Sequence, residues 1–556
     1  MSSAINNTAK DWLPRFFKKQ TDSSDSTTRD RDSFWSYSPT NRWVIPLIFA
    51  LLSLAMRIPF VVRYDLNFQG DFAIAYLMAK RILVGDLSVY FWNQDRYGTF
   101  YQFVTAGFFA LFGPSIPVAG LVSALSWTAS VAMGIYFVQR YFDLLTAVCA
   151  GAALAVAAPY INHYTTQPSD IGYTLPIPTF ILLFCWIAHL SERPLRRCHA
   201  AALGAVIGFS WYSNKQLIIA LATIGLSALL TAQGRALFKR AFKTDLCLIF
   251  LLWFIIGYSP EWIYKLQETK TPVGSVKLFG IASLSGIVKN IYWTLRAIPS
   301  YFDGDPMARL PDGVHYVSDR HPLTETLPQG VTDYIAISAA LITFITMGYY
   351  WVRAYREQSF PKLMLAIYPA MVILSVIVAD ITSWDIYYPA RRYMFSCALG
   401  LPMWLGISLA FSIRRKLWIC AILTGLVMPL SMFHQLRMLK FPDELRDYRA
   451  VASDLHANQE HYAISWYAFA YVLTAMTNED TIFANVDYNS YQPYAQVVFS
   501  QSSIALVYPS AITNLPKRVN VAGKNFVQVG EARIHGELAI AHYQLDIRNA
   551  LSSLIK

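Results

Sequence analysis

The sequence predicts a polytopic α-helical membrane protein with about eleven membrane helices and a small α/β domain at its C-terminal end. Of its 556 residues, 55% are hydrophobic and only 15% are charged. Mean hydropathy is +0.34. Apolar runs of about 20 residues recur along the chain, each long enough to cross a ~30 Å hydrocarbon core as a helix. A soluble fold would have to expose many of these runs. The net charge of +11 has an ordinary source in the Lys and Arg of cytoplasmic loops and gives no reason to expect nucleic acid.

Residues 1–40 are rich in Ser, Thr and Asp, show no apolar period and carry no signal-peptide core, so they read as a disordered cytoplasmic tail. The predicted spans are 43–62, 115–138, 144–160, 173–190, 199–213, 216–232, 246–261, 332–351, 363–380, 393–412 and 417–433, within a core of 41–433. With the basic tail inside, alternation keeps Arg140, Arg193, Arg196, Arg197, Arg235, Lys239, Arg353, Arg356, Arg414 and Arg415 inside as well. The alternation closes only if 99–113 is a half-helix that dips from the outer face and stops at Gly113-Pro114.

Four segments then lie outside: loop 63–114, a short loop at 161–172, loop 262–331, and everything from 434 onward. In 434–556 a helix over 443–456 is followed by short strand-like runs, YAISWY, TIFANV, IALVYP, NFVQV and LAIAHYQL, around a helical piece at 467–477. That domain has no Gly-rich phosphate loop and no metal-spaced Cys or His, so acceptor handling or structural support is its expected role. The six cysteines fall in spans or on the cytoplasmic side and act as small buried hydrophobes. Asn6-Asn7-Thr8, the one glycosylation-type triplet, lies in the tail, which favours a bacterial envelope.

The chemistry starts at Asp71, which follows Gly70 at the head of a short amphipathic helix ending in Lys80 and Arg81. Two readings stand side by side. The acid at the positive end and the bases at the negative end make an ordinary capped helix; a carboxylate near a membrane surface can equally act as general base on a hydroxyl.

The run GDFAIAYLMAKRILVGDLSVYFWNQDRYGTFYQFVTAGFFALFG, residues 70–113, resembles the first outer loop of the GT-C integral-membrane glycosyltransferases, in the protein O-mannosyltransferase and aminoarabinose-transferase-like branch. There an acid opens a surface helix and an aromatic stretch follows. Asp170 in the second outer loop, KNIYWTLRAIPSYFDG at 289–304 and WYAFAYVLTAMTNEDTIFA at 466–484 resemble further parts of that pattern in the same order. One departure is that Phe72, not a second acid, follows Asp71.

What the resemblance implies is a polyprenyl-phosphate sugar donor and transfer to a hydroxyl of a glycan, lipid or protein acceptor on the extracytoplasmic face of the cell membrane. Asp71 would be the base, worth ~10² to 10⁴ in rate, and Asp170 would orient donor or acceptor. The departing phosphate needs positive charge more than it needs an acid. Arg63, Arg96, Lys215, Lys277, Arg296, Arg391 and Arg392 are the outer cations; Lys215, alone in a tight turn, and Arg391-Arg392, against the positive-inside rule, stand out. Tyr90, Phe91, Trp92 and Tyr97 can stack on sugar or form an interfacial belt. His163 near Asp170 offers an acid-base pair or a metal ligand, but a lone outer His reads more simply as a solvated polar residue, and no metal or other cofactor is expected.

A transporter or flippase of lipid-linked or anionic solutes is the competing class, and a non-catalytic assembly scaffold the third. Transporters place ionisable groups near mid-membrane. Here the exception is Arg57, which is expected to snorkel outward.

Overall fold

The computed structural model describes residues 42–66, 68–92, 94–168, 176–267, 281–302, 329–379, 394–485, 491–512, 515–521 and 523–546. The helices, in chain order, are α1 Val44–Val62, α2 Gly70–Ile82, α3 Phe100–Phe112, α4 Ile116–Tyr141, α5 Leu144–Val156, α6 Pro159–Thr166, α7 Pro176–Ser191, α8 Arg197–Ser213 and α9 Leu217–Leu230. There follow α10 Ala232–Ala241, α11 Thr244–Gly257, α12 Ser259–Gln267, α13 Leu284–Ala297, α14 Gln329–Arg356, α15 Phe360–Val378, α16 Gly400–Arg414 and α17 Trp418–Met438. A hairpin of β1 Tyr90–Phe91 and β2 Gln94–Gly98 separates α2 from α3.

Within the described residues each of the eleven predicted spans lies on helix, with 144–160 broken after Val156 and the predicted loop 161–172 helical as far as Thr166, and the protein is a multi-pass membrane protein. Among the described residues, six helical stretches are long and apolar enough to cross by themselves, one of them being the 3-10 turn Met394–Ala398 together with α16, and nine spans result if each of three bent pairs counts as one. The other two, α7 and α8, have 16 and 17 residues. The predicted half-helix is α3, whose 13 residues reach only about 20 Å at 1.5 Å per residue, short of a ~30 Å core. It ends at Gly113, where φ is +81°.

The bent pairs are α5/α6 at 67°, α9/α10 at 113° and α11/α12 at 50°. In the first, Pro159 has no N–H to give the carbonyl of Ala155, and Ala157 sits at a φ of +29°. Carbonyls orphaned inside a membrane bundle need other donors. Arg57 Nη1 donates to Ala155 O at 3.2 Å, and Gln435 Nε2 donates to Val156 O and Ala157 O at 2.6 Å each. The expectation that Arg57 snorkels is therefore corrected: it is 1% exposed, bonds Ser53 and Thr165 as well, and lies 5.1 Å from the Trp127 ring. Its length is used inward because the break supplies acceptors there.

Close helix contacts rest on small residues. A Cβ at Gly204 or Gly208 of α8 would strike the backbone of Phe250 or Phe254 in α11, so this GxxxG spacing lets two membrane helices touch along their backbones.

The C-terminal region continues with α18 Arg446–Ala457, β3 Tyr462–Ser465, α19 Tyr467–Met476, β4 Ile482–Asn485, α20 Gln492–Ser500, β5 Ser503–Pro509, β6 Arg518–Val521, β7 Lys524–His535 and β8 Leu538–Leu545. The six strands form one mixed sheet in the order β4-β3-β5-β8-β7-β6, with β3 parallel to both β4 and β5. Its central strands are near-continuous apolar runs because both faces are covered. Ala463, Phe483, Val507 and Ile540 pack under α18 and α19; Ile464, Ala484, Leu506 and Ala541 pack under α20. Helix α20 and strand β6 are additions to the elements read from the sequence. From Pro46 onward the chain forms one compact unit, so this sheet and the helical bundle belong to a single body.

Candidate functional site

Helix α2 was expected to be a surface amphipathic helix, and it is instead enclosed. Gly70 and every residue from Phe72 to Ala79 are buried. Helix α3 covers one side and α19 the other, so a segment that reads as amphipathic in isolation has no free face. Its N-cap is Gln69, whose side chain makes no capping bond, and Asp71 stands one residue inside the first turn.

There the half-buried Asp71 carboxylate accepts a hydrogen bond from the Tyr467 hydroxyl to Oδ1 at 2.6 Å. Tyr467 opens α19, just after the N-cap Trp466. At the far end, Lys80 Nζ donates to O and Oδ1 of Asn478, both at 2.8 Å. Glu479 pairs with Lys80 at 2.8 Å and with Arg81 at 2.6 Å. Heads meet heads and tails meet tails, so α2 and α19 run side by side in the same direction. Two helix N-termini, each carrying partial positive charge, converge on one carboxylate, and the two cations lie at the negative ends. The approach is close: a Cβ on Gly70 would stand 3.3 Å from both the ring and the carbonyl oxygen of Tyr467.

Aromatic residues complete this joint. Trp92 is 5% exposed and stacks on Tyr491 with ring centres 3.9 Å apart. The Tyr491 hydroxyl donates to Asp86, and that of Tyr494 to Glu479. Burial pushes the Glu479 carboxyl up, but hydrogen bonds from Lys80 and Tyr494 and the charges of Lys80 and Arg81 outweigh it, leaving the group below the usual carboxylate range.

Beneath the head of α2, the bend after Val156 delivers α6. His163 is half-buried there, its ring centre 5.6 Å from that of Phe72 and 4.8 Å from that of Tyr164. A second cluster gathers at the other side of the β1–β2 hairpin. Lys215 Nζ pairs with Glu261 Oε2 at 3.0 Å and lies 5.1 Å from the Tyr258 ring. Glu261, 7% exposed, also accepts from the Tyr90 hydroxyl and pairs with Lys265 at 3.1 Å. Tyr97 bridges Asn214 through the backbone. Arg63 is engaged with Asp65 at 2.9 Å.

The structure thus brings Asp71, Trp92 and His163 around α2, and Lys215 and Tyr97 into the neighbouring cluster. Asp170, Lys277, Arg391 and Arg392 lie outside the described residues, and of Arg96 only the backbone, in β2, is described. Among the described residues no group of three or more His, Cys, Asp or Glu is placed to hold a metal ion. Sequence reasoning missed Tyr467, Glu479 and Glu261. The first two lie inside the run 466–484 that carries part of the family resemblance; Glu261 was visible only as an acid at the end of an apolar span.

No family model and no curated protein matches the sequence. Solved structures do match the fold. ArnT from Cupriavidus metallidurans bound to undecaprenyl phosphate superposes with a TM-score of 0.53 at 14% identity, over 91% of this chain and 98% of that one. The same protein in the apo state gives 0.53 at 13%, with the same coverage. The apo oligosaccharyltransferase of Archaeoglobus fulgidus gives 0.50 at 12% identity, over 86% of this chain and 70% of that one. Over most of its length the chain therefore has the fold of these solved proteins, the fold that the resemblance to the GT-C glycosyltransferases predicts.

Proposed function

We propose that the protein is a membrane glycosyltransferase that moves a sugar from a polyprenyl-phosphate donor to a hydroxyl acceptor on the extracytoplasmic face of the cell membrane, with inversion. The observation that carries this reading is the Asp71 carboxylate held at two converging helix N-termini within a fold shared with an ArnT that binds undecaprenyl phosphate. The acceptor oxygen attacks the anomeric carbon as the bond from that carbon to the phosphate oxygen breaks. The acceptor proton passes to Asp71, and the lipid leaves as polyprenyl phosphate. In-line displacement by one nucleophile inverts the anomeric centre.

The other roles follow from charge. A departing phosphate draws on fixed cations, for which Arg96, Arg391 and Arg392 are proposed, with Lys215 acting from its pair with Glu261. Asp170 and His163 are assigned to orienting the reactants, and Trp92 and Tyr97 to shaping the wall beside them. For handling of the acceptor, whether glycan, lipid or protein, the C-terminal domain is proposed, since its helix α19 brings Tyr467 to Asp71. For the competing transport reading, the buried Arg57 is the feature in its favour; its bonds to Ala155, Ser53 and Thr165 supply a structural reason for that burial.

The test is to incubate the purified protein with a panel of undecaprenyl-phosphate sugars and measure which is consumed. Asp71→Asn is expected to accumulate normally and to lose transfer by ~10²-fold or more. Full activity of that variant removes Asp71 from the mechanism, and transport without consumption of any donor sinks the enzyme reading.

A further inference from the structure

We infer that Tyr467, a residue of the C-terminal domain, is a positioning residue for Asp71, so that the domain completes the reaction centre in addition to supporting it. The inference rests on Asp71 being the base of the transfer proposed above. Its grounds are geometric. The Tyr467 hydroxyl lies 2.6 Å from Asp71 Oδ1, a short O–H···O⁻ contact of the charge-assisted kind.

The ring that carries this hydroxyl is itself fixed. It lies against Gly70, where a Cβ would already be 3.3 Å from the ring. On its other side Tyr471 stands 5.7 Å away between ring centres, and the Tyr471 hydroxyl in turn accepts from the backbone N–H of Tyr491 at 3.2 Å. Tyr491 is the residue on which Trp92 stacks. A line of aromatic groups therefore runs from the β1–β2 hairpin through the C-terminal domain to the carboxylate.

A carboxylate with one oxygen engaged by a fixed donor cannot turn freely about its Cβ–Cγ bond. The orientation of its second oxygen is then set before an acceptor arrives, and orientation of a reacting group acts on the rate of the chemical step. Ion pairing of Lys80 and Arg81 with Glu479 anchors the same two helices about ten residues further on, without touching the carboxylate. Docking and positioning are thus carried by different residues and can be separated.

Tyr467→Phe removes only the hydroxyl. In the full-length protein in nanodiscs, with the undecaprenyl-phosphate sugars of the panel, kcat is expected to fall about tenfold, with KM for donor and acceptor within about twofold and the unfolding temperature unchanged. Glu479→Gln is expected to show the opposite split, a lower unfolding temperature with kcat retained below it. Independently of any substrate, the infrared carboxylate stretch that disappears in Asp71→Asn should be displaced in Tyr467→Phe. A kcat for Tyr467→Phe that stays near wild type, a fall in kcat that only tracks a fall in unfolding temperature, or an unmoved carboxylate band overturns the proposal. Full activity of Asp71→Asn overturns instead the reading on which it rests.

Discussion

Two parts of the molecule hold the surroundings of Asp71 in place, and they do so with opposite electrostatics. At the break between α5 and α6, inside the bundle, a cationic side chain and an amide donate to carbonyls and hydroxyls: Arg57 to Ala155, Ser53 and Thr165, Gln435 to Val156 and Ala157. Among the described residues the hydrogen bonds of Arg57 go to neutral oxygens. At the joint between α2 and α19, formal charges meet formal charges, Lys80 and Arg81 against Glu479. The difference follows from solvent. A second charge within the bundle would add its own desolvation cost, whereas backbone carbonyls at a helix break are there already and need donors. At the joint, partial access to water makes charges affordable and leaves them open to pH and salt.

Removing the charged side chain from the break should have the largest effect on stability. Arg57→Met strands the Ala155 carbonyl and leaves Thr165 and Ser53 to rebond, at a cost of about 3 kcal/mol. The expected result is a lower unfolding temperature in nanodiscs that is indifferent to salt. A loss that shrinks as salt is added would show that Arg57 answers to a charge and would erase the contrast.

Glu479→Gln tests the other side. It leaves two part-buried cations without their counter-charge, costing about 1 to 2 kcal/mol, and that loss should diminish at high ionic strength. Proteolysis between the bundle and the C-terminal sheet is the convenient readout. A salt-independent effect would mean that the Tyr494 and Trp92 contacts, not charge, hold the joint.

Acid should act more gently, and on the joint rather than on the break. Glu479 sits below its unfolded value of 4.5 in the folded chain, so its contribution is complete above pH of about 4.5 and is lost as pH falls through the lower folded value. Hydrogen exchange in α2 and α19 should accelerate in that range in the wild type. Glu479→Gln should lack this component, and exchange across the α5/α6 break should show none of it.

These contrasts also mark where sequence reading reaches its limit. The apolar run 144–160 was legible as a span, yet neither its break before Pro159 nor the direction taken by Arg57 was, because that direction depends on a carbonyl that only the bend orphans. The strands from YAIS to LAIAHYQL were legible as short alternating runs, whereas the cover on both faces that leaves the central ones apolar throughout was not. Asp71 stood out because a Gly-acid pair before a helix is a local signal. Tyr467, 396 residues further along the chain, and Glu261, 46 residues from Lys215, gave no local sign of what they touch.

By itself the amino-acid order determined what depends on near neighbours: which runs can satisfy their backbone as membrane helices, where prolines and glycines interrupt them, which segments alternate as strands, and which helix begins with an acid. Only the tertiary structure decided that the acid-headed helix is enclosed, that a tyrosine of the C-terminal sheet domain grips its carboxylate, and that the buried Arg57 serves a break in another helix. Hydropathy and capping act over a few residues and can be read in order. Hydrogen bonds and ion pairs between distant segments exist only once packing has removed water and set both partners at contact distance.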